Sequence, residues 1–156
     1  IICETVASVD HARAILTGAD VGLPVWLAVT LDDEDGTKLR SGEPVADVLG
    51  LQYDAILANC CAPEAIPAAL KVFAKGDKPY GAYANGFTMI TKDFLKAKPT
   101  VDSLNVREDF TPDVYARHAV QWAEMGATII GGRCEVGPAH IARTARALIA
   151  AGHRIV

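Results

Sequence analysis

Five short apolar runs punctuate the chain, at positions 1–6, 24–31, 53–59, 79–84 and 127–131, each rich in branched or small residues and each followed by a helical pattern. Runs that are apolar on both faces read as strands buried on both faces. Their alternation with amphipathic segments predicts a parallel sheet covered by helices, an α/β class.

Caps and stripes place the helices. Ser8 caps a helix predicted through Leu16, with Gly18 near its end. Thr111 followed by Pro112 is an N-cap and first-turn pair, Gly126 closes that helix, and Tyr115, Ala119 and Trp122 fall at i, i+4 and i+7 as its buried face. The last helix is expected to start near Pro138, to bury Ile141, Ala145 and Leu148, and to stop at Gly152. Pro63 and Pro67 forbid a regular helix through both, so the ordered part after the third strand is expected to begin near Pro67. Two connections, 32–43 and 85–110, follow strand C-terminal ends, the edge where parallel α/β folds put their chemistry.

Composition narrows the classes of partner. The 156 residues carry 15 Lys plus Arg against 19 Asp plus Glu, a formal charge of −4, with 51% apolar and 22% charged residues. That amounts to one domain or part of one. With no block of like charge there is no basic stripe for nucleic acid or an anionic membrane surface. Apolar stretches such as 23–31 fall short of the roughly 20 residues a spanning helix needs, so a soluble protein is expected. The chain opens on Ile1-Ile2-Cys3 without an initiator Met or a leader pattern, which reads as a cut start. Four cysteines, two of them adjacent, in a large apolar chain point to reduced thiols or metal ligands and to a cytoplasmic setting.

Five strands permit a complete doubly wound domain or part of a (β/α)8 barrel, which takes about 250 residues when whole. A nucleotide-binding doubly wound domain ought to carry a phosphate cradle after its first strand. Glu4-Thr5-Val6-Ala7-Ser8 contains no glycine, and neither G-x-G-x-x-G nor G-x-x-x-x-G-K-[ST] occurs.

The sharpest chemical feature is a pair of cysteines at corresponding places. Cys60 lies just past the third strand and Cys134 just past the fifth, beside Gly131-Gly132. Thiolates at the C-terminal ends of two parallel strands can converge on one metal; equally, cysteines there can be buried fillers of space, and spacing alone leaves both readings open.

Longer motifs around these residues resemble the homocysteine S-methyltransferases. Ala58-Asn59-Cys60 before a Pro-led helix resembles their G-[VI]-N-C motif. Gly131-Gly132-Arg133-Cys134 through Pro138-Ala139-His140-Ile141 resembles G-G-C-C-G-x-x-P-x-H-I, and Cys3-Glu4-Thr5 resembles an E-T at an earlier strand. The resemblance implies a zinc-dependent (β/α)8 barrel that methylates the thiol of homocysteine from a small methyl donor, giving methionine, with this chain equivalent to its last five βα units. The family's D-G-x-x-G-T segment has no counterpart here, so missing N-terminal strands or a partner chain are expected to complete the sheet. By the same resemblance Glu4 and Asn59 bind substrate and Cys60 and Cys134 hold zinc.

One departure matters. Family members use three thiolates, and Arg133 stands where the first of the adjacent pair belongs, removing a donor and adding a fixed positive charge. Cys61 is the candidate substitute ligand, although its Cβ direction opposes that of Cys60 if the strand continues. A non-catalytic amino-acid-binding or partner-binding relative is the alternative reading. If Glu4 faces inward, Cys3 turns toward the helices as an inert thiol.

The remaining candidates are structural or peripheral. His118 reads as a packed histidine, His11 and His153 as surface residues, and His140 as a support beneath the metal site. Asp32-Asp33-Glu34-Asp35-Gly36 is acidic but fails the calcium-loop spacing. Tyr83, Asn85 and Phe87 follow the fourth strand, where they could line a pocket.

Overall fold

A computed structural model describes residues 1–87 and 107–156; the segment 88–106, most of the long connection after the fourth strand, lies outside the described residues. Strands β1 (Ile2–Val6), β2 (Trp26–Val29), β3 (Ala55–Asn59), β4 (Tyr80–Tyr83) and β5 (Ile129–Ile130) alternate with helices α1 (Val9–Ala19), α2 (Ile66–Phe73), α3 (Pro112–Glu124) and α4 (Pro138–Ala150). A 3-10 turn, Val45–Val48, precedes β3.

Every strand pairs in parallel with the next in sequence, in the order β1-β2-β3-β4-β5. A doubly wound domain reverses direction from an interior strand. Without that reversal, right-handed crossovers put all the helices on one face and all strand C-termini on one rim. The sheet is also strongly curved. Laid flat, β1 and β5 would sit about 19 Å apart, four spacings of about 4.8 Å. Yet the side chains of Glu4 on β1 and Arg133 beyond β5 touch at 2.8 Å.

Burial follows from position in the sheet. All five residues of β3 are buried, as a central strand demands, whereas β1 at the edge exposes Ile2 and Glu4 and buries Cys3 and Val6. Cys3 accordingly faces the helices, joining Val6, Ala12, Leu27 and Ile56 in the core. On α3, Tyr115, Ala119 and Trp122 are fully buried, with the two rings edge to face at 5.7 Å.

The caps form where the sequence places them: the Ser8 hydroxyl accepts from His11 N–H at 3.1 Å and that of Thr111 from Val114 N–H at 3.3 Å. Helix α1 nonetheless runs through Gly18 to Ala19, since one glycine weakens a helix without ending it. On α4, Leu148 is buried, but Ala145 is half-buried and Ile141 is 43% exposed. This helix packs chiefly on α3, so its stripe toward the open side of β5 is only partly covered.

Gly81 marks a close approach of two strand backbones. A Cβ there would sit 1.9 Å from the carbonyl oxygen of Ile129, opposite it in the β4–β5 ladder. Gly81→Ala should therefore force β5 away and lower stability by about 3 kcal/mol or more, read from the denaturant midpoint of the full-length protein.

Candidate functional site

Among the described residues the C-terminal rim carries three non-glycine positions with left-handed backbone: Thr5 (φ 59°) at the end of β1, Cys60 (φ 50°) after β3 and Glu135 (φ 67°) after β5. Such conformations cost about 1 to 3 kcal/mol each and persist where surrounding bonds over-determine them. Thr5 and Cys60 are each tied down locally.

Thr5 is held by Asn59. The carboxamide oxygen of Asn59 accepts from Thr5 N–H at 3.2 Å while its Nδ2 donates to the Thr5 hydroxyl at 3.1 Å. The β1–β2 register shifts between Cys3 and Val6, and Glu4 lies within that irregularity, directed across the mouth of the curved sheet. Asn59 itself is fully buried with both ends of its amide engaged. Its position behind Thr5 suits it to shape the site.

Cys60 is held from three sides. Its N–H donates to Tyr83 O at 3.3 Å and its carbonyl accepts from the Thr30 hydroxyl at 3.1 Å. Two residues on, Ala62 N–H donates to Asp33 Oδ1 at 2.7 Å. Asp33 in turn forms a two-pronged pair with Arg40, at 2.9 and 3.2 Å, with side-chain exposures of only 5% and 9%. Sequence reasoning did not find this clamp. The signal was an acidic run followed by a lone arginine in one strand-end loop, but which carboxylate the arginine selects depends on the neighbouring β3 loop. The rest of the acidic run makes local turns, with Asp32 Oδ1 accepting from Glu34 and Asp35 N–H at 2.9 and 2.8 Å.

The left-handed turn at Cys60 sends the adjacent cysteines in opposite directions. Cys61 is fully buried in the core, and burial pushes its thiol up to about 12. The structure thus does not bring Cys61 to the rim with Cys60 and Cys134. Cys60 is half-buried and Cys134 exposed. Burial and the neighbouring Cys134 push the Cys60 thiol pKa up, against the opposing pull of Arg133 and Asn85.

Arg133 is central to the charge balance. Its Nη1 donates to Glu4 Oε2 at 2.8 Å, and the Tyr83 hydroxyl donates to the other oxygen, Oε1, at 3.1 Å. The guanidinium holds the Glu4 carboxyl below its ordinary range despite partial burial. Arg133 Nε is buried without an acceptor.

The surroundings account for the other candidates. The space a Cβ at Gly132 would need is filled by Val136, at 2.1 Å from that position, so this glycine serves chain packing. His140 accepts from Gly137 N–H through Nδ1 at 3.3 Å, leaving Nε2 to donate to Phe110 O at 2.9 Å; it braces the loop. Asn85 reaches toward the Cys60 sulfur at 4.0 Å and Phe87 is buried. His118 stacks on Trp122. Tyr115 bridges the exits of two strands, accepting from Ala84 N–H and donating to Gly131 O.

A parallel α/β sheet with thiols, a carboxylate and a guanidinium gathered on its C-terminal rim is the frame of proteins whose chemistry sits on strand-end loops. The chain belongs to the homocysteine S-methyltransferase family, whose sequence profile matches residues 1–148. It is 28% identical over 137 residues to Homocysteine S-methyltransferase 4 of Zea mays, covering 82% of this chain and 37% of that protein. It is 29% identical over 154 residues to Homocysteine S-methyltransferase 1 of Arabidopsis thaliana, covering 93% and 44%. The crystal structure of the apo homocysteine methyltransferase MmuM from Escherichia coli superposes with a TM-score of 0.65 at 27% identity, over 94% of this chain and 48% of that one. The chain therefore spans less than half the length of these relatives. Among the described residues no helix is long and apolar enough to cross a membrane.

Two outcomes follow from the site's bonding. Asp33→Ala would strand Arg40 as a buried unpaired charge, and stability should fall by about 3 to 5 kcal/mol in denaturant unfolding. Because the Glu4 carboxyl titrates below its ordinary value of 4.5, the stabilisation from its pair with Arg133 is complete above that value and is lost as pH falls through the lowered one. Carbon-detected NMR should place the Glu4 midpoint below 4.5 in the wild type and return it toward that value in Arg133→Met.

Proposed function

We propose that the intact protein is a methyltransferase acting on the thiol of homocysteine, and that this chain supplies the last five βα units of its (β/α)8 barrel. The observation that carries the reading is the convergence of Glu4, Cys60 and Cys134, from three different strand ends, in a chain of this family. The curvature of the sheet and the exposed Ile2 at its β1 edge suit a barrel closed by further strands or by a partner chain.

In this reading the Glu4 carboxylate receives the substrate ammonium, with the Tyr83 hydroxyl fixing its orientation and Asn59 fixing the turn that aims it. The thiol of homocysteine gives up its proton to solvent, and the resulting thiolate sulfur attacks a methyl carbon carried on a positively charged sulfur or nitrogen. A new S–C bond forms as the bond from the methyl to the donor breaks, and the donor leaves neutral.

Zinc would assist by stabilising the substrate thiolate, but the donor set does not fit it. Catalytic zinc takes three protein ligands and an exchangeable position. Here Cys60 and Cys134 make two, Cys61 is turned into the core, and Arg133 places a fixed cation beside Cys60. Among the described residues no group of three metal-ligating side chains comes together. A second reading, a non-catalytic relative that binds an amino acid or a partner, is favoured by the same observation, because Arg133 already occupies the Glu4 carboxylate.

Metal analysis with a methylation assay decides between them. The full-length protein should carry substoichiometric zinc, and Arg133→Cys should raise zinc content and homocysteine methylation together. Adding Cys60→Ala to that variant should abolish both. If Arg133→Cys recruits no zinc, the non-catalytic reading takes first place.

A further inference from the structure

The Glu4–Arg133 pair joins opposite ends of the sheet, and its partners leave hydrogen-bonding capacity unused. Glu4 has one oxygen on Tyr83 and one on Arg133. Arg133 gives one nitrogen to Glu4 and also bonds the Cys60 thiol, while its Nε is buried with no acceptor. A guanidinium carries five N–H donors in a planar fork whose geometry matches a carboxylate. The pair is net neutral, and its Arg133 and Glu4 side chains are 29% and 44% exposed, so a small polar molecule can reach both.

We propose that Glu4 and Arg133 together form a receptor for the zwitterionic head of an α-amino acid, Glu4 taking the ammonium and Arg133, released from Glu4, taking the carboxylate. The proposal rests on the reading of Glu4 as the ammonium partner and adds the residue that selects the other half of the ligand. Charge accounting supports it. A zwitterion entering the pair exchanges one ion pair for two and leaves no group uncompensated. A simple amine would free Arg133 with nothing to neutralise it, in a site where its Nε already lacks an acceptor. A simple acid would do the same to Glu4. The arrangement therefore discriminates against molecules carrying one charge only, and it does so without a metal. Tyr83 keeps its bond to Glu4 throughout and holds the carboxylate in place during the exchange.

Calorimetric titration of the full-length protein in the presence of a chelator tests this. The probes are L-homocysteine, its methyl ester, 4-mercaptobutanoate (which lacks the amine) and L-methionine. The wild type should bind homocysteine at least about tenfold more tightly than either the ester or the des-amino acid, the scale of one charge-assisted contact. Arg133→Met should erase the preference over the ester and keep that over the des-amino acid; Glu4→Gln should do the converse. Arg133→Lys, which keeps the charge, should preserve the wild-type order of ligands. A purely structural loss would weaken all ligands alike and leave these ratios unchanged, so unchanged ratios in Arg133→Met overturn the proposal. So does tighter binding of acid and ester by the same factor, which would make Arg133 only a competitor for Glu4. If methionine shows the same head-group preferences and homocysteine gains nothing from its thiol, the receptor stands and the thiol-methylation reading fails.

Discussion

Parallel hydrogen bonding of each strand to the next in sequence is the constraint on which the site depends. In a parallel sheet every strand ends on the same rim, so residues that leave β1, β3, β4 and β5 are neighbours however far apart they lie in the chain. Glu4 and Arg133 are separated by 129 positions and still share a proton-bearing contact. Curvature of the sheet completes the effect, because the same pairing in a flat sheet would leave them out of reach.

Order on that rim comes from a few polar groups placed behind the residues that face outward. Asn59 spends its entire amide on Thr5, and the buried Asp33–Arg40 pair fastens the loop that carries Cys60. Thr5 and Cys60 adopt backbone conformations that β-branched and other non-glycine residues avoid, and these bonds offset that cost. The strain also has a use. The turn at Cys60 points one cysteine of the adjacent pair at the rim and commits the other to the core.

A single side chain then sets the electrostatic character of the site. Two thiols and a carboxylate without Arg133 would be a ready environment for a cation, whether a metal or an ammonium group. With Arg133 present the cation is built in, and the acidity of Glu4 and the thiol of Cys60 both respond to it. Family membership and metal chemistry are thereby separable in this chain: the profile and the fold match the family, while two rim thiols beside a fixed cation are one donor short of a three-ligand zinc site.

The sequence by itself determined the strands, most of the helix caps, the buried face of α3, the parallel class and the family. These follow from local period and from motifs that need only neighbouring residues. The inward course of Glu4, the burial of Cys3 and the packed role of His118 were legible for the same reason, since side-chain direction follows from alternation along a strand or a helix face. The tertiary structure alone decided three matters. It set the order of strands, which excludes the doubly wound arrangement; the half-exposed stripe of α4, which depends on what lies beyond β5; and the partners of the charged groups. That Arg133 chooses Glu4, and Arg40 chooses Asp33, is a question of distance and dielectric between residues far apart in sequence. Charge pairing has no period for a sequence to display.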